Sequence, residues 1–233
     1  MPLVVHHLQR SQSDRVVWLC EELGVPYELK IYQRDRKTLL APPELKQLHP
    51  AETAPILEDG DLRLSESSAI MQYIIDKYGS GRLTVPVTAP NYADYVYWFY
   101  YAIGTLQPTV SSPMFLQMAG ITKDSESPVI QNIYNRVTRS LKALDARLRQ
   151  TPYLAGDELT AADIYAVFTV SVMRLFNPFP LTGYDGILKW LERCTERPAY
   201  KAMIEKAEKS ETRGVVPTIS AEAPQAMWEF LEK

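Results

Sequence analysis

The sequence predicts a mixed α/β domain followed by an all-helical domain, in a chain of 233 residues. Short alternating apolar runs occur before position 80, whereas apolar residues after position 90 recur every three or four positions. Residues 79–90 separate the two patterns and are rich in glycine and proline, which is typical of a linker. We therefore expect an α/β domain at 1–80, a linker at 81–90 and a helical domain at 91–233.

The start of the chain predicts a strand, a helix and a second strand. Residues 3–8 are apolar and β-branched, and residues 27–32 alternate. Residues 15–23 have helical periodicity and are followed by a glycine and a proline that end the helix. A β-α-β unit requires parallel strands and a right-handed crossover. His6 and His7 point to opposite faces of the first strand. We expect them to fill the core or the surface, and the alternative is that one of them approaches a functional site.

Residues 49–70 combine a proline, a tight turn and a helix start. Pro55 cannot donate a strand hydrogen bond, so we expect it at the first position of a strand. Asp59-Gly60-Asp61 predicts a hairpin between two short strands. Residues 65–68 favour a helix N-terminus, which is a seat for an anion. With the preceding β-α-β unit and a short helix between them, the element order is that of a thioredoxin-like domain.

The region after position 90 has helical periodicity throughout. Residues 91–119 predict a helix interrupted at Gly104 and Pro108, because a proline within a helix kinks it. Thr160 and Asp163 form a variant of the capping box, which is a structural device and not a catalytic one. Further helical stretches are expected at 129–149, 166–176, 184–197, 199–207 and 227–231, with a loose segment at 212–224.

Composition excludes several classes of protein. The sequence is 46% hydrophobic and 23% charged, as in globular proteins. Its net charge of −3 offers no basic stripe for nucleic acid, and no apolar run reaches the length of about 20 residues that spans a bilayer. The N-terminus lacks the pattern of a signal peptide, so we expect a cytoplasmic protein without an integral membrane segment. Cys20 and Cys194 lack zinc or redox spacing, so we expect reduced, buried thiols and no metal.

Three short segments resemble those of a known family. Residues 41–46, Ala-Pro-Pro-Glu-Leu-Lys, precede His49-Pro50, and Glu66-Ser67 follows the proline-led hairpin. Residues 104–108 have the sequence Gly-Thr-Leu-Gln-Pro. By these segments the chain resembles cytosolic-type glutathione S-transferases of the serine type, in particular the fungal GTT-type group. The resemblance covers nearly the whole chain. It implies a thioredoxin-like domain followed by an all-α domain, a cis bond before Pro55 and a homodimer.

The resemblance also implies that glutathione, an anionic tripeptide, is the co-substrate. A thiol has an ordinary pKa of about 8.5, and a hydroxyl hydrogen bond together with a helix N-terminus favours its thiolate. The loop at residues 9–14 precedes the first helix and offers two hydroxyls. The family pattern Ser-x-x-x-Arg-x-Val assigns catalysis to Ser11, with Ser13 as the alternative. A third possibility is that both serines only cap the helix.

The remaining glutathione contacts are also implied by the resemblance. Glu66 and Ser67 would hold the γ-glutamyl end, Ser67 through its hydroxyl and its backbone N–H. Ala54 would pair its backbone with the cysteinyl residue of the ligand, in the manner of an added strand. Thr53 and Lys37 would contact the glycyl end. The expected binding residues are Thr53, Ala54, Pro55, Glu66, Ser67 and Lys37.

We therefore expect a transferase that conjugates the glutathione thiolate to electrophilic hydrophobic molecules in a cleft between the domains. Tyr97, Trp98 and Tyr101 are candidates for lining the acceptor pocket. Two alternatives stay open. One is a specialised fungal secondary-metabolite transferase or isomerase with a narrow acceptor range. The other is a non-catalytic binding protein of the same fold, favoured by Glu52-Thr53, where related sequences carry glycine followed by lysine or glutamine.

Overall fold

A computed structural model describes residues 2–35, 37–208 and 219–230 of the chain. These residues divide into two units. The first unit contains the described residues up to position 84 together with 195–208. The second contains residues 85–194 and 219–229. The domain bounds inferred from the sequence stay a prediction.

A four-stranded sheet forms the centre of the first unit, in the order β2-β1-β3-β4. β1 pairs parallel to β2, and β3 pairs antiparallel to both β1 and β4. The parallel β-α-β unit, the hairpin and the thioredoxin-like arrangement predicted from the sequence are therefore confirmed. The strands are β1 (Leu3–Leu8), β2 (Tyr27–Tyr32), β3 (Ile56–Asp59) and β4 (Leu62–Ser65).

Three helices lie between or directly after these strands in the sequence: α1 (Asp14–Leu23), α2 (Pro43–Lys46) and α3 (Ser67–Tyr78). Gly24 ends α1 in the left-handed region, with φ at 65°, where a residue without a side chain carries no steric cost. The apolar faces of α1 and α3 are removed from solvent together with the inner residues of β1 and β3. Fully buried members of this core are Val5, Val16, Val17, Leu19, Cys20, Ile56, Leu57, Ile70 and Ile74.

The second unit is helical. Between its first two helices, residues Ala102–Leu106 form a π-helical turn at the predicted interruption. Pro108 has no backbone N–H, so the regular hydrogen-bond ladder cannot continue through this position. The helices are α4 (Tyr92–Tyr101), α5 (Gln107–Met118), α6 (Pro128–Leu148), α7 (Ala161–Val170) and α8 (Asp185–Thr195).

The centre of the second unit is α7, all of whose residues are buried. The predicted capping box is present: the Thr160 backbone N–H donates to Asp163 Oδ2 over 2.9 Å. The predicted continuation of this helix to residue 176 is wrong, because α7 ends at Val170. Ser171 leaves the helical conformation, its hydroxyl donates back to Val167 O, and a 3₁₀ turn follows.

The chain then returns to the first unit through α9 (Pro198–Met203) and a π-helical segment, Ile204–Glu208. Tyr200 packs edge-on against Trp18 of α1 with ring centroids 5.0 Å apart. Arg197 donates two hydrogen bonds, of 2.6 and 2.8 Å, to the carboxylate of Glu22. These contacts hold α9 beside the middle and the end of α1.

Two predicted features lie partly outside the described residues. The loose segment expected at 212–224 falls mainly on positions that the structure does not describe. Of the terminal helix expected at 227–231, Met227–Phe230 forms a 3₁₀ turn. Among the helices described, none combines the length and the apolar character needed to cross a bilayer.

Candidate functional site

Three segments of the first unit meet at one end of the sheet. β1 runs antiparallel to β3, with His6 opposite Ile56, so the end of β1 lies beside the beginning of β3. β3 in turn pairs Ile56 with Ser65, the last residue of β4. This register places the loop after β1, the segment before β3 and the start of α3 at the same sheet end. All the predicted site residues except Lys37 lie on these three segments.

The loop after β1 holds both candidate serines in buried positions. Ser11 is 6% exposed and Ser13 has no exposed surface. Ser13 stands at the N-cap of α1, but its side chain makes no capping bond. Its oxygen instead accepts from the Leu8 backbone N–H over 3.1 Å and lies 2.7 Å from Ser11 Oγ. Side-chain capping of α1 by Ser13 is therefore not its role.

The start of α3 holds Glu66 and Ser67 in different ways. Glu66 has a φ of 76°, a left-handed conformation that is uncommon outside glycine and is concentrated at functional sites. Its carboxylate accepts from the Ser68 hydroxyl over 3.1 Å and from the Ser68 backbone N–H over 3.5 Å. Glu66 therefore caps the 12-residue helix α3. The Ser67 hydroxyl is left to face the loop after β1.

Two residues that sequence reasoning missed join this loop to Ser67. Gln12 Oε1 accepts from the Ser67 hydroxyl over 3.3 Å and from Arg15 Nη1 over 2.9 Å. Arg15 Nη1 also lies 3.4 Å from Ser67 Oγ, and this arginine is 1% exposed. In the sequence, Arg15 appeared only as a position in the Ser-x-x-x-Arg-x-Val motif. The three-residue spacing between Gln12 and Arg15 was the signal that could have linked their side chains. The two side chains bring a buried positive charge to the start of α3.

The segment before β3 presents the remaining predicted contacts. The Ala54–Pro55 peptide bond is cis, as the family resemblance implied. Pro55 is buried, Ala54 is half-buried and Thr53 is exposed. Glu52 adopts a left-handed conformation with φ at 55° and is also exposed. Exposure therefore decreases along this segment, from Glu52 and Thr53 at the surface to the buried Pro55 at the start of β3.

Lys37 lies apart from this group, in a turn after β2. Asp35 Oδ1 accepts from the backbone N–H groups of Lys37 over 3.0 Å and of Thr38 over 2.7 Å. The Lys37 residue is exposed. Arg34 connects this part of the chain to the loop after β1, since it donates to the Arg10 carbonyl over 3.0 Å. The structure thus brings the turn near the site through Arg34, while the Lys37 side chain takes part in none of these bonds.

A buried histidine extends the site into the core. His7 Nδ1 lies 2.8 Å from Ser13 Oγ, and its Nε2 lies 3.0 Å from Glu208 Oε1. Asp14 Oδ1 is 3.8 Å from His7 Nδ1. His7 is thus buried, as core filling required, and it also contacts the loop that bears the candidate serines, which was the alternative left open for one of the two histidines. No local pattern could show these contacts, because Glu208 is 201 positions away in the sequence.

The charges of this cluster are set by burial and by hydrogen bonds. Burial raises the pKa of Asp14 well above its usual value, and the neighbouring Glu208 carboxylate raises it further. Burial alone would raise the pKa of Glu208, but hydrogen bonds from His7 and from the Arg10 backbone N–H outweigh it and lower that pKa. Burial and its neighbours therefore favour the protonated form of Asp14 and the ionised form of Glu208.

Two guanidinium groups also act on these carboxyls, those of Arg10 and Arg34. Burial lowers the pKa of Arg34 to about 10, so it stays charged at neutral pH. The polar atoms of His7, Asp14 and Glu208 lie within 4.8 Å of one another. Two nearby guanidiniums disfavour a metal ion among them, so we assign the cluster to hydrogen bonding.

The second unit carries the aromatic residues singled out on α4. Tyr97 is 56% exposed and stacks on Tyr101 with ring centroids 5.7 Å apart. Trp98 is buried and packs edge-on against Tyr97 at 5.1 Å. Tyr97 and Tyr101 are four positions apart and share one face of α4. Tyr97 is thus an exposed aromatic surface of the second unit.

Taken by itself, the first unit can stabilise two negative charges. One position is at the start of α1, where Ser11 supplies a hydroxyl and the helix N-terminus supplies a partial positive charge. The other is at the start of α3, where Ser67 and the buried Arg15 guanidinium lie within 3.4 Å of each other. An anionic ligand with a second ionisable group, such as a thiol peptide, matches both.

Comparison with known protein families matches both parts of the chain. The model for the glutathione S-transferase N-terminal domain matches residues 10–77. The model for the glutathione S-transferase C-terminal domain matches residues 109–198. The first match includes the loop after β1 and the start of α3, and the second includes α5–α8. Together the two matches cover most of the chain.

Relatives with these domains extend the match to nearly full length. Glutathione S-transferase 3 of Schizosaccharomyces pombe is 29% identical, with 88% of each chain covered. Glutathione S-transferase 1 of Saccharomyces cerevisiae is 28% identical, covering 89% of this chain and 96% of its own. A crystal structure of a glutathione S-transferase from Actinobacillus pleuropneumoniae has a TM-score of 0.79 and 31% identity, covering 88% of this chain and 93% of its own. The chain belongs to the glutathione S-transferase family.

Proposed function

We propose that the protein conjugates the thiolate of glutathione to electrophilic, hydrophobic small molecules. The tripeptide supplies the nucleophile, and the protein lowers the free energy of its ionised sulfur. The observation that carries this proposal is the Gln12–Ser67 hydrogen bond of 3.3 Å. It joins the loop that bears the candidate thiolate-stabilising hydroxyl to the helix start that bears the candidate carboxylate seat.

Ser11 is the hydroxyl that best suits the sulfur. Its own backbone carbonyl accepts from the Asp14 N–H in the first turn before α1, which places the side chain at that helix start. Ser13 is less suited, because its oxygen has no exposed surface and is surrounded by His7, Leu8 and Ser11. We therefore assign the catalytic role to Ser11. Ser13 contacts the Ser11 hydroxyl from its buried side.

The γ-glutamyl end fits the start of α3. Ser67 offers its hydroxyl and backbone N–H to the carboxylate, and the Arg15 guanidinium 3.4 Å from Ser67 Oγ adds a positive charge. Glu66 offers a carboxylate to the ammonium group of the same γ-glutamyl residue. Arg15 and Gln12 join the binding set on this argument, which rests on their contacts with Ser67.

The rest of the tripeptide follows the segment before β3. Ala54 is half-buried beside Pro55 and offers backbone groups to the cysteinyl residue. Thr53 and Lys37 are exposed and suit the glycyl end, which carries the second carboxylate of the ligand. We further propose a cytoplasmic, two-fold homodimer, since isologous dimers are the commonest oligomers.

Substitution of Ser11 tests the catalytic assignment. Ser11→Ala should lower kcat for a model electrophile by about 10²-fold or more, since it removes one donor to the sulfur anion. The KM for glutathione should change little. Ser125→Ala, in the loop between α5 and α6, is the matched control and should retain full activity. Equal kcat values for Ser11→Ala and the wild type would remove Ser11 from this role.

A second substitution tests the binding assignment in the same assay. Ser67→Ala should raise the KM for glutathione more than it lowers kcat, because Ser67 holds the ligand equally in the ground and transition states. Binding of glutathione without conjugation of any electrophile would favour the non-catalytic binding protein. Conjugation confined to one narrow acceptor class would favour the specialised secondary-metabolite transferase or isomerase.

A further inference from the structure

Four side chains form a continuous run of hydrogen bonds that begins at Ser11. The oxygens of Ser11 and Ser13 lie 2.7 Å apart, and Ser13 Oγ lies 2.8 Å from His7 Nδ1. His7 Nε2 then lies 3.0 Å from Glu208 Oε1. His7 and Ser13 have no exposed surface, and the Glu208 side chain is 3% exposed. We call this run the serine–histidine chain.

The fold holds both ends of the serine–histidine chain in place. Glu208 Oε1 also accepts from the Arg10 backbone N–H over 2.9 Å. At the preceding residue of the same segment, the Ala207 carbonyl accepts from Gln9 Nε2 over 3.2 Å. The loop after β1 is thus bonded to Ile204–Glu208 at two successive residues. A carboxylate fixed on one imidazole nitrogen determines which hydrogens the other nitrogen can carry.

When the His7 ring is neutral, the number of hydrogens on each group determines which group donates in each hydrogen bond of the serine–histidine chain. The ionised Glu208 can only accept, so the hydrogen of the ring lies on Nε2 and Nδ1 is bare. The Ser13 hydroxyl then donates to Nδ1. Its oxygen accepts from the Leu8 N–H and, at 2.7 Å, from the Ser11 hydroxyl. In this state every bond of the chain points inward, toward Glu208.

The direction reverses when both ring nitrogens carry hydrogens. His7 Nδ1 then donates to Ser13 Oγ, and the Ser13 hydroxyl donates to Ser11 Oγ, which is closer than its other acceptor, the Leu8 carbonyl at 3.2 Å. Ser11 Oγ also accepts from the Ser13 backbone N–H over 3.2 Å. Both acceptor positions of Ser11 are filled. Its hydrogen can therefore only point outward, to a ligand.

We propose that the serine–histidine chain is a proton relay that ionises bound glutathione. The S–H bond breaks, its electron pair stays on sulfur, and the proton passes to Ser11 Oγ. The former Ser11 proton passes to Ser13 Oγ, and the former Ser13 proton forms a new N–H bond at His7 Nδ1. Each serine ends with one hydrogen, and the products are a thiolate and an imidazolium. The relay rests on the proposed function, since its ligand is glutathione.

Titratable groups face both ring nitrogens of His7. Glu208 is ionised because hydrogen bonds lower its pKa, and it lies directly on Nε2. Asp14 faces Nδ1 from α1, and burial raises the pKa of this carboxyl. The Arg10 and Arg34 guanidiniums act on these carboxyls and partly offset the Glu208 charge. His7, Ser13 and Glu208 are thus positioning residues that act through Ser11.

The wild-type protein alone allows a decisive test. Glutathione is titrated into it below the pKa of the free thiol, with the thiolate followed by ultraviolet absorbance. Calorimetry in buffers of different ionisation enthalpy counts the protons released. The relay predicts that the thiolate forms with far less than one proton released per glutathione, because His7 retains it. Release of one full proton for each thiolate formed would overturn the relay.

Variants test the chain residue by residue. Ser13→Ala and Glu208→Gln should each raise the apparent pKa of the bound thiol by about one unit, a tenfold loss of thiolate below that pKa. The KM for glutathione should stay within about twofold, because neither residue is assigned a ligand contact. Glu208→Gln nearly preserves shape, so it keeps the test valid if Ser13→Ala does not fold. An unchanged thiol pKa in folded Glu208→Gln would overturn the relay.

A control variant removes a different hydrogen bond between Ile204–Glu208 and α1 and changes no residue of the serine–histidine chain. Lys206, on the same segment as Glu208, donates to Glu21 of α1 over 2.6 Å. Glu21→Gln should leave the thiol pKa unchanged, so a shift seen there would indicate a general effect of loosening Ile204–Glu208. Failure of the wild type to bind glutathione or to form a thiolate would refute the proposed function and the relay together. Thiolate formation that is indifferent to Ser13 and Glu208 would refute the relay alone.

Discussion

Each unit of the molecule contains an aspartate that is almost completely buried, and the hydrogen bonds of the two differ. Asp163, in the second unit, accepts four hydrogen bonds: from Leu154 N–H, Trp190 Nε1, and the backbone N–H and hydroxyl of Thr160. Asp14, in the first unit, has two buried carboxyl oxygens that accept no hydrogen bond from any described residue. Both residues are at most 4% exposed.

The difference shows how hydrogen-bond donors act on a buried carboxyl. Burial raises the pKa of both groups, but four donors work against that rise at Asp163. At Asp14 the Glu208 carboxylate adds to the rise, so the protonated form is favoured beside His7. Four donors stabilise the ionised form of Asp163, whereas a neighbouring carboxylate stabilises the protonated form of Asp14.

The largest expected effect comes from the isosteric change Asp163→Asn. An amide retains one acceptor oxygen but turns an NH₂ group toward two of the four donors, so two buried donors lose their partner. The free energy of unfolding should fall by about 2–4 kcal/mol, since each unsatisfied buried donor costs about 1–3 kcal/mol. Urea denaturation at neutral pH measures it. A loss below about 1 kcal/mol would mean that the four bonds do not hold this unit together.

The same change at the other aspartate should act differently. Asp14→Asn replaces a carboxyl whose protonated form is favoured by burial with an uncharged amide of the same shape, so the cost at neutral pH should be under about 1 kcal/mol. The variant should moreover become relatively more stable as the pH rises. Urea midpoints of wild type and variant over a series of pH values measure both effects.

The sign follows from linkage. The pKa of Asp14 in the folded protein is raised above its unfolded value of about 3.9, so its contribution to stability is fully present below that value. The contribution is lost as the pH rises through the raised folded pKa, and Asp14→Asn removes this loss. Parallel pH profiles for the two proteins would contradict a raised pKa of Asp14 in the folded protein.

Local patterns explain how much of the fold the sequence predicts. The Asp59-Gly60 turn, the Thr160–Asp163 box and the alternation of β2 are each complete within a few residues, and all appear where expected. The candidate serines are also carried by short motifs. Such features depend on backbone propensity and on neighbours in sequence, which a single chain displays.

The missed part of the site depends on contacts between distant positions. Gln12 meets Ser67 across 55 positions, and His7 meets Glu208 across 201. The second contact exists only because α9 brings the chain back to the first unit after the helical part. The polarity of a histidine in a strand does not show what will pack against it, so a core role was the natural prediction.

The smallest expected effect concerns a carboxylate that is satisfied but near the surface. Asp59 Oδ2 accepts from the Lys77 ammonium, the Tyr73 hydroxyl and the Tyr78 hydroxyl at 2.6–2.7 Å. These bonds, that of Lys77 first, lower the pKa of Asp59 to about 2. Asp59 thus resembles Asp163 in having several donors, but it is less buried. Solvent screening should therefore reduce its contribution to the free energy of unfolding.

Asp59→Asn should therefore lower the thermal midpoint by no more than about 2–4 °C at neutral pH. A depressed pKa contributes stability above the unfolded value of about 3.9 and loses it as the pH falls toward about 2, so the difference from wild type should shrink at pH values near 3. Asp76→Asn, an exposed change next to Lys77 on α3, is the control and should leave the midpoint unchanged. A loss at Asp59 as large as that at Asp163 would show that the number of hydrogen bonds, and not burial, determines the cost of losing a carboxylate in this protein.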